Sequence, residues 1–555
     1  MHKIIKKTIK YTACGIGVLL LAIILFVSIL YFSADMLTPD YTPKANGELV
    51  QTDSLREYAG NYLRQSNSGL WELKVSGDAF QRGEAIGKLS SDLLYYQEKV
   101  FVDQIREIVP SDNYLKFLRF FIVLFNRNLG KNVPEEFRDE IYGISLSCTH
   151  EYDFIGTPYE RQLNYHSAHD LGHAMQDYML VGCSSFATWG ENSADSSLII
   201  GRNFDFYMGD KFAHNKLVSF YQPEQGYKFA SVGWPGMIGV LSGMNETGLT
   251  VTINAAKSDM PTASATPISI LTREILQYAS TIDEAYAIAL KRKTFVSESI
   301  LIGSARDGRA AIIEKSPEKT ALFTSGGNQI ICTNHYQSET FRNDERNKEN
   351  IATSDSPYRF ARLQELLKEN NPIDPMKAAS ILRNQRGLDN IDLGMGNEMA
   401  INQLIAHHSV IFLPEKQIMY VSTSPWQCGK YMAYDLNKIF SDTIDFHHEI
   451  ATLNLTIPED NFIRQASYKQ FMAYKQLTKL IREKTQRKET IETKVLNLYE
   501  ASNPSFYYVY EVLGDYYAAI QQTDIAITYW QKALTMPIPK QAEKVRIQQK
   551  INKNQ

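Results

Sequence analysis

The chain has 555 residues, with 58 Lys and Arg against 62 Asp and Glu, for a formal net charge of −4. Charge this nearly balanced, without a basic stripe, excludes the electrostatic footprint of nucleic-acid binding, and no nucleic-acid partner is expected. The length exceeds one ordinary domain, 44% apolar residues are ample for a packed core, and five cysteines are too few and too odd a number for a disulfide framework.

Lys3, Lys6, Lys7 and Lys10 precede an uncharged run, residues 11–34, dominated by Leu, Ile, Val and Phe. The run exceeds the roughly 20 residues that cross a bilayer core and outlasts the apolar part of a secretion signal, about 7–15 residues. Phe32, Ser33 and Ala34 make a poor small-x-small cleavage site, and Cys14 lies near the start of the run rather than after it, which argues against lipoprotein processing. Residues 1–35 therefore read as a basic cytoplasmic stub and a single-pass anchor, with the bulk of the chain on the outer, periplasmic or extracellular, side of the cell membrane. Residues 35–46 read as a short tether.

Residues 36–182 precede the first chemical motif, and from about Ser54 onward they predict one strand and several amphipathic helices. Residues 117–125 are rich in Phe, Leu and Ile but short and broken by Arg119, which predicts a buried or partly exposed helix rather than a second span. Residues 83–89 fall one short of a phosphate-loop spacing and have Leu89 where Ser or Thr is required, so no nucleotide is expected there. His166, His169, Asp170 and His173 cluster, with His169 and His173 at the spacing of one helix face. Without the Glu of a zinc-protease helix or a Cys companion they read as helix-cap or pocket histidines; no metal and no cofactor is expected.

Gly182-Cys183-Ser184-Ser185-Phe186 and Gly201-Arg202-Asn203-Phe204-Asp205-Phe206 lie in apolar-alternating runs on either side of a polar turn, which predicts a β-hairpin. A thiol sits at the start of its first strand, an Arg and an Asp at the end of its second, the company a reactive cysteine needs. The small Gly182 exposes the peptide bond before Cys183 to attack by that residue's own sulfur. Cleavage there would free an α-amine with a reference pKa of about 7.7–8.0, able to take the proton of its own thiol. Singly, each residue has a plainer reading. Cys183 could be an inert buried side chain, Arg202 and Asp205 a structural ion pair, Asn245 and Gly248 turn residues, Asn254 and Asn334 partners of buried backbone groups.

Short strands dominate onward to Ser424, with helices near residues 267–280 and 358–369. Cys14, Cys148, Cys332 and Cys428 read as small buried hydrophobes, the last two in strands. After about Thr456 helical periodicity takes over. Tyr510-x-x-Leu513-Gly514-x-x-Tyr517, followed by Ala526, Trp530, Ala533, Leu534 and Pro537, resembles one tetratricopeptide repeat, a helical hairpin of about 34 residues. One repeat cannot make a solenoid, so residues 456–555 read as a helical tail packed on the preceding domain, with docking of a protein partner as the alternative.

Further motifs follow in order: Gly243-Met244-Asn245-Glu246-Thr247-Gly248-Leu249, Thr250-Val251-Thr252-Ile253-Asn254-Ala255, Cys332-Thr333-Asn334-His335 and Ser356-Pro357-Tyr358-Arg359-Phe360. Together with the Cys183 hairpin, this set resembles the superfamily of choloylglycine hydrolases and acyl-coenzyme A:6-aminopenicillanate acyltransferases, which are autoproteolytic N-terminal nucleophile hydrolases. Upstream, Leu70-Trp71-Glu72-Leu73, Gly77-Asp78 and Arg82-Gly83-x-x-x-Gly87 look like the opening strand and turn of the acyltransferase proenzymes. The resemblance runs over residues 60–430 and implies an α+β fold, a four-layer αββα sandwich over residues 183–455.

The resemblance also implies site roles. Cys183 would be the nucleophile, freed by cleavage after Gly182, with Asp205 holding its α-amine and Arg202 its thiolate. Asn334, with a donor near Asn254, would form the oxyanion hole, and Arg359 would close the site or meet an acidic group of the substrate. The segment before Cys183 would stay packed on the core after cleavage. The expected function is a membrane-anchored, self-cleaving cysteine amidohydrolase acting on linear, non-peptide C–N bonds of a small acyl amide or lipid-like substrate. The alternatives are acyl transfer to an amine and a non-catalytic tethered protein working through the helical tail.

Overall fold

The computed structural model describes residues 2–555 except Asp35, 42–46, Asp53, 109–110, 175–179, 258–263 and Asp442, with backbone alone at 2–10, Ala13, Phe32, Ile108, Asp112, 168–174, Leu180 and Val181. The alternating runs after Cys183 fold as an antiparallel hairpin, Ser184–Gly190 against Ser196–Phe204. Gly201 lies opposite Phe186, where a Cβ would stand 2.6 Å from the Phe186 ring, so only glycine admits that ring. The hairpin is the centre of a six-stranded sheet in the order Gln329–Cys332, Ser184–Gly190, Ser196–Phe204, His408–Leu413, Ile418–Ser422, Tyr431–Asp435.

A larger sheet has eleven strands. Among the described residues, four come from before Cys183, in the order Val50–Gln51, Leu55–Tyr58, Asn61–Gln65, Trp71–Gly77. They continue into Leu217–Pro223, Phe229–Gly233, Ser242–Asn245, Leu249–Ala255, Glu298–Ser304, Arg309–Lys315 and Thr320–Phe323. Because strand side chains alternate between faces, successive residues serve different layers. Ala187 and Ile200 join Val218, Phe220, Leu301 and Ile312 in a core between the two sheets. Their neighbours Phe186 and Ile199 turn outward onto Leu363 and Ile381 of the helices Ser356–Asn370 and Pro375–Leu382. The outer face of the large sheet is covered by Ala79–Leu89, Glu135–Ser145, Ile268–Tyr278 and Ile282–Lys291 through Val75, Ile86, Ile141, Ile253 and Ile275. The layers run helix, sheet, sheet, helix: the α+β, αββα sandwich that the motifs imply.

Several local expectations change. Leu55–Tyr58 and Asn61–Gln65 add strands where the pattern between Ser54 and Leu180 predicts one, because their short, half-charged runs carry little alternation to read. The Arg82-Gly83 motif is not a turn but lies in a helix, which starts where Asp78 and Gln81 form a reciprocal capping box. Gly83 serves close approach: a Cβ there would stand 2.0 Å from the Glu140 carbonyl of the crossing helix. Cys428 lies in the turn between Ser422 and Tyr431, and Cys14 is exposed on the N-terminal helix. The helix Asp112–Phe125 is partly exposed, with Leu115 and Val123 buried and Tyr114, Phe117 and Phe121 at about half exposure.

The tail comprises Ala466–Arg487, Thr493–Ser502, Tyr507–Ala519, Thr523–Leu534 and Gln541–Asn554. Within its hairpin, a Cβ on Gly514 would stand 2.4 Å from Trp530 Nε1, so the glycine lets the indole seat, and Nε1 donates to Asp515 at 3.0 Å. The tail packs on the sandwich: Asn503 makes paired hydrogen bonds with the Met395 backbone at 2.8 and 2.9 Å, and Leu404 belongs to the tail's own core.

Segments before and after Cys183 also share a buried ion network. Glu140 takes Arg82 at 2.8 Å and Arg273 at 3.2 Å, with all three side chains sealed. Glu140→Ala leaves two buried guanidiniums without their shared carboxylate, and removing one partner of such a pair costs about 3–5 kcal/mol. A lowered urea unfolding midpoint for Glu140→Ala, with Glu136 intact, is the expected result.

Candidate active site

Cys183 stands immediately before the strand Ser184–Gly190 and is 1% exposed. Antiparallel pairing puts Arg202 opposite Ser185 on the next strand, and Asp205 follows that strand's end. On the other side Cys332 also pairs with Ser185, which delivers Asn334 from just beyond its strand. Asn254 comes from the large sheet, one residue before the end of Leu249–Ala255, and Arg359 from the first turn of Ser356–Asn370. Arg202 and Arg359 bond Cys183 directly and the Asp205 carbonyl accepts from the Gly182 amide, whereas Asn334 connects through Arg359 and Asn254 through Ser185.

Arg202 Nη2 donates to Cys183 Sγ at 3.8 Å, and Nη1 donates to Ser242 Oγ and to His408 Nε2 at 3.2 Å. The guanidinium also lies 4.3 Å over the Phe204 ring. Burial holds His408 well below its ordinary pKa, with His407 and Arg202 adding to the depression, so its Nε2 is free to accept. Burial pushes the Cys183 thiol up to about 11, opposed by Arg202 and reinforced by Asp205 and Glu298. Burial likewise pushes the Asp205 carboxyl up to about 8 against the pull of Arg359 and Arg202, and neither Asp205 oxygen has a hydrogen-bond partner among the described residues. With its chain intact, the site therefore holds a neutral thiol beside a carboxyl that resists ionising. A cation at residue 183 reverses both tendencies, since an adjacent positive charge favours carboxylate and thiolate.

Arg359, expected to close the site or to meet an acidic group of the substrate, makes its hydrogen bonds to protein groups. It is 1% exposed, and its guanidinium donates to Asp355 at 2.8 Å, the Cys183 carbonyl at 2.6 Å, Ser184 Oγ at 3.0 Å and Asn334 Oδ1 at 2.7 Å. It holds the Cys183 carbonyl and the Asn334 side-chain oxygen in place. Asn334 Nδ2 spends one hydrogen on the Ala255 carbonyl at 2.8 Å, leaving its second available. Asn254 is more fully committed: Nδ2 donates to the Cys332 and Thr333 carbonyls, and Oδ1 accepts from Ser185. Asn245 and Gly248 are turn residues, the first accepting from the Thr247 and Leu249 amides and the second at φ +77°.

Ser356 opens the last of the quoted motifs and His166 belongs to the histidine cluster, whereas Gln403 carries no sequence signal. Ser356 accepts from the Asn334 amide at 2.7 Å, and its three-residue spacing from Arg359 on one helix is the physical content of the Ser-x-x-Arg motif. Gln403 donates from Nε2 to the Gly182 carbonyl at 2.9 Å; it lies in an irregular loop and offers no motif. His166 is a satisfied pocket histidine, bonded through Nδ1 to the Gln162 carbonyl and through Nε2 to the Ile238 amide, and burial takes it down to about 4. The side chains of His169, Asp170 and His173 lie outside the described residues.

Residues 190–392, less than half of the chain, match the family model described as acyl-coenzyme A:6-aminopenicillanic acid acyl-transferase; the match includes Arg202, Asp205, Asn254, Asn334 and Arg359 and leaves out Gly182, Cys183 and Gln403. An uncharacterized protein of Archaeoglobus fulgidus is 24% identical over 277 residues, 47% of this chain and 46% of that one. Protein dcd1B of Dictyostelium discoideum is 23% identical over 271 residues, 45% of this chain and 51% of its own. This chain thus spans about half the length of the curated relatives it matches. Among solved structures, a Caenorhabditis elegans ortholog of N-acylethanolamine-hydrolyzing acid amidase aligns at TM-score 0.32 and 14% identity, over 42% of this chain and 93% of that chain. A variant of conjugated bile acid hydrolase from Clostridium perfringens aligns at TM-score 0.31 and 16% identity, over 46% of this chain and 93% of that chain.

The Asp205 environment makes a stability prediction. A carboxyl whose pKa rises from 3.8 unfolded to about 8 folded keeps its proton longer in the folded state, so the intact chain loses stability as pH climbs through that window. In a Cys183→Ala background, Asp205→Asn removes this penalty. Its melting temperature should rise above that of Cys183→Ala, with a small gain at pH 5 and the full gain at pH 8.

Proposed function

We propose that this protein is a membrane-anchored cysteine amidohydrolase that cleaves itself between Gly182 and Cys183 and then hydrolyses the C–N bond of N-acyl amides. The observation that carries this is the buried Cys183 thiol under Arg202 beside an Asp205 carboxylate that has no hydrogen-bond partner among the described residues. A structural ion pair would use that carboxylate. A nascent α-ammonium on Cys183 is a partner of the right sign for it.

In the self-cleavage step the Cys183 sulfur adds to the Gly182 carbonyl carbon. The C–S bond forms, the C–N bond breaks, and the thiol proton passes to the Cys183 nitrogen. Water then hydrolyses the thioester, leaving the Gly182 carboxylate and restoring the thiol. In turnover the free α-amine takes the thiol proton, the sulfur attacks the substrate's acyl carbon, and the departing amine collects the proton. Asn334, oriented by Arg359, donates to the developing oxyanion, and water releases the acid.

The family description favours a second outcome, in which an amine rather than water takes the acyl group. Acyl-amide turnover with and without added amine, read by product mass, separates the two. Anchoring is supported by the helix His2–Phe32, whose stretch Cys14–Tyr31 has a mean hydropathy of 2.8 and no buried residue. At its end Tyr31 stacks on Phe120 at 5.3 Å, so the exposed aromatic face of Asp112–Phe125 adjoins the anchor where a bilayer interface would lie.

Denaturing mass measurement on the purified full chain tests the proposal. Wild type should give two fragments meeting between Gly182 and Cys183, and Cys183→Ala a single uncut chain that turns over no acyl amide; turnover by Cys183→Ala would overturn the scheme. In the processed enzyme, Asn334→Ala should lower kcat by about 10²–10³, the usual loss for one oxyanion donor.

A further inference from the structure

The Gly182–Cys183 bond is gripped more tightly than presentation of a thiol requires. Two consecutive carbonyls each accept from a buried side chain, Gly182 from Gln403 Nε2 at 2.9 Å and Cys183 from Arg359 Nη1 at 2.6 Å. The Gly182 amide donates in turn to the Asp205 carbonyl at 3.2 Å. Arg359 belongs to the motif set, but Gln403 does not, and it is only 1% exposed.

We infer that Gln403 is the oxyanion donor of self-cleavage, holding the Gly182 carbonyl oxygen as it takes negative charge. The inference rests on the self-cleavage reading above. In that step the C–S bond forms at the Gly182 carbon, the carbonyl electron pair moves onto oxygen facing Gln403 Nε2–H, and collapse breaks the C–N bond as the thiol proton reaches nitrogen. A donor serves this charge when it lies 2.7–3.1 Å from the oxygen that will bear it, which the Gln403 amide does.

Two further features fit this role. A Cβ on Gly182 would stand 2.5 Å from Gln403 Nε2 and 2.9 Å from its Oε1, so glycine at the cleavage position is what lets the amide reach the carbonyl. The loop carrying Gln403 is also clamped from both sides. From the nucleophile hairpin, Asn203 Nδ2 donates to the Ile401 carbonyl at 2.9 Å, and the Phe204 carbonyl accepts from the His407 amide at 2.9 Å. From the tail, Leu404 is held at φ +55° with its side chain sealed in the core that contains Phe471 and Phe506. A Cβ on Gly396, in the same loop, would meet the Phe471 ring at 3.2 Å and the Gln403 carbonyl at 3.9 Å. The helical tail thus braces the segment that presents the donor, and Leu404 and the residues behind it act as positioning residues.

The test is the rate at which newly made full-length chain converts to two fragments, followed by denaturing mass. Gln403→Met keeps the side-chain length and removes the donor; processing should slow by about 10²–10³. Gly182→Ala should slow it too, and the two losses should not add, because each removes the same contact. Melting of Cys183→Ala with and without Gln403→Met supplies the structural control, and a drop no larger than that of one lost buried hydrogen bond is expected. Processing of Gln403→Met at the wild-type rate overturns the role of Gln403 while leaving self-cleavage standing. A large drop in the control midpoint makes Gln403 a structural support and overturns it as well. An uncut wild-type chain overturns the self-cleavage reading and this role with it.

Discussion

Asp205 has no exposed surface, and neither of its carboxylate oxygens meets a donor among the described residues. Leaving a buried acceptor unsatisfied ordinarily costs about 1–3 kcal/mol, and more for a charged group. The intact chain meets that constraint by keeping the carboxyl protonated up to about pH 8 and the neighbouring thiol neutral. Arg202 does not bond Asp205: its Nη1 and Nη2 donors go to Ser242, His408, Ile253 and the Cys183 sulfur, and its buried Nε has no partner among the described residues. On the proposed reading this imbalance is the stored condition of a precursor, because breaking the peptide bond creates the missing cation where it is needed. The same change in charge that frees the amine then favours the thiolate beside it.

The segment before the nucleophile is woven into the body. Its strand Trp71–Gly77 pairs in parallel with Leu217–Pro223, and its Arg82 shares Glu140 with Arg273 from beyond the nucleophile. Seven consecutive residues pair across that junction. A break at one peptide bond removes none of those interactions, so a cut chain has every physical reason to stay together. On the proposed reading, sheet pairing alone would keep the N-terminal helix attached to the part that follows Cys183.

The tail contributes in the same way. Its aromatic core takes in Leu404 and packs beside Trp426 and Met395 of the sandwich, so the tail and the loop at residues 394–404 share one core. The hairpin that resembles a tetratricopeptide repeat uses Gly514 to seat Trp530, an internal packing need.

Much of this was legible in the residues. Alternation from 184 to 204 determined the hairpin, and pairing within it put Arg202 beside Cys183, since a strand's period is short-range and local. The same holds for the Asn245 turn and the Ser356–Arg359 helix face, which depend on spacings of a few residues. What the linear pattern could not decide is which distant donors reach the site. Gln403 has no motif, Arg359 faces the protein rather than a substrate, and Gly83 is a point of helix contact rather than a turn. Each of these depends on two segments far apart in the chain coming within hydrogen-bonding or van der Waals distance. That is set by how the layers stack, and only the tertiary structure contains it.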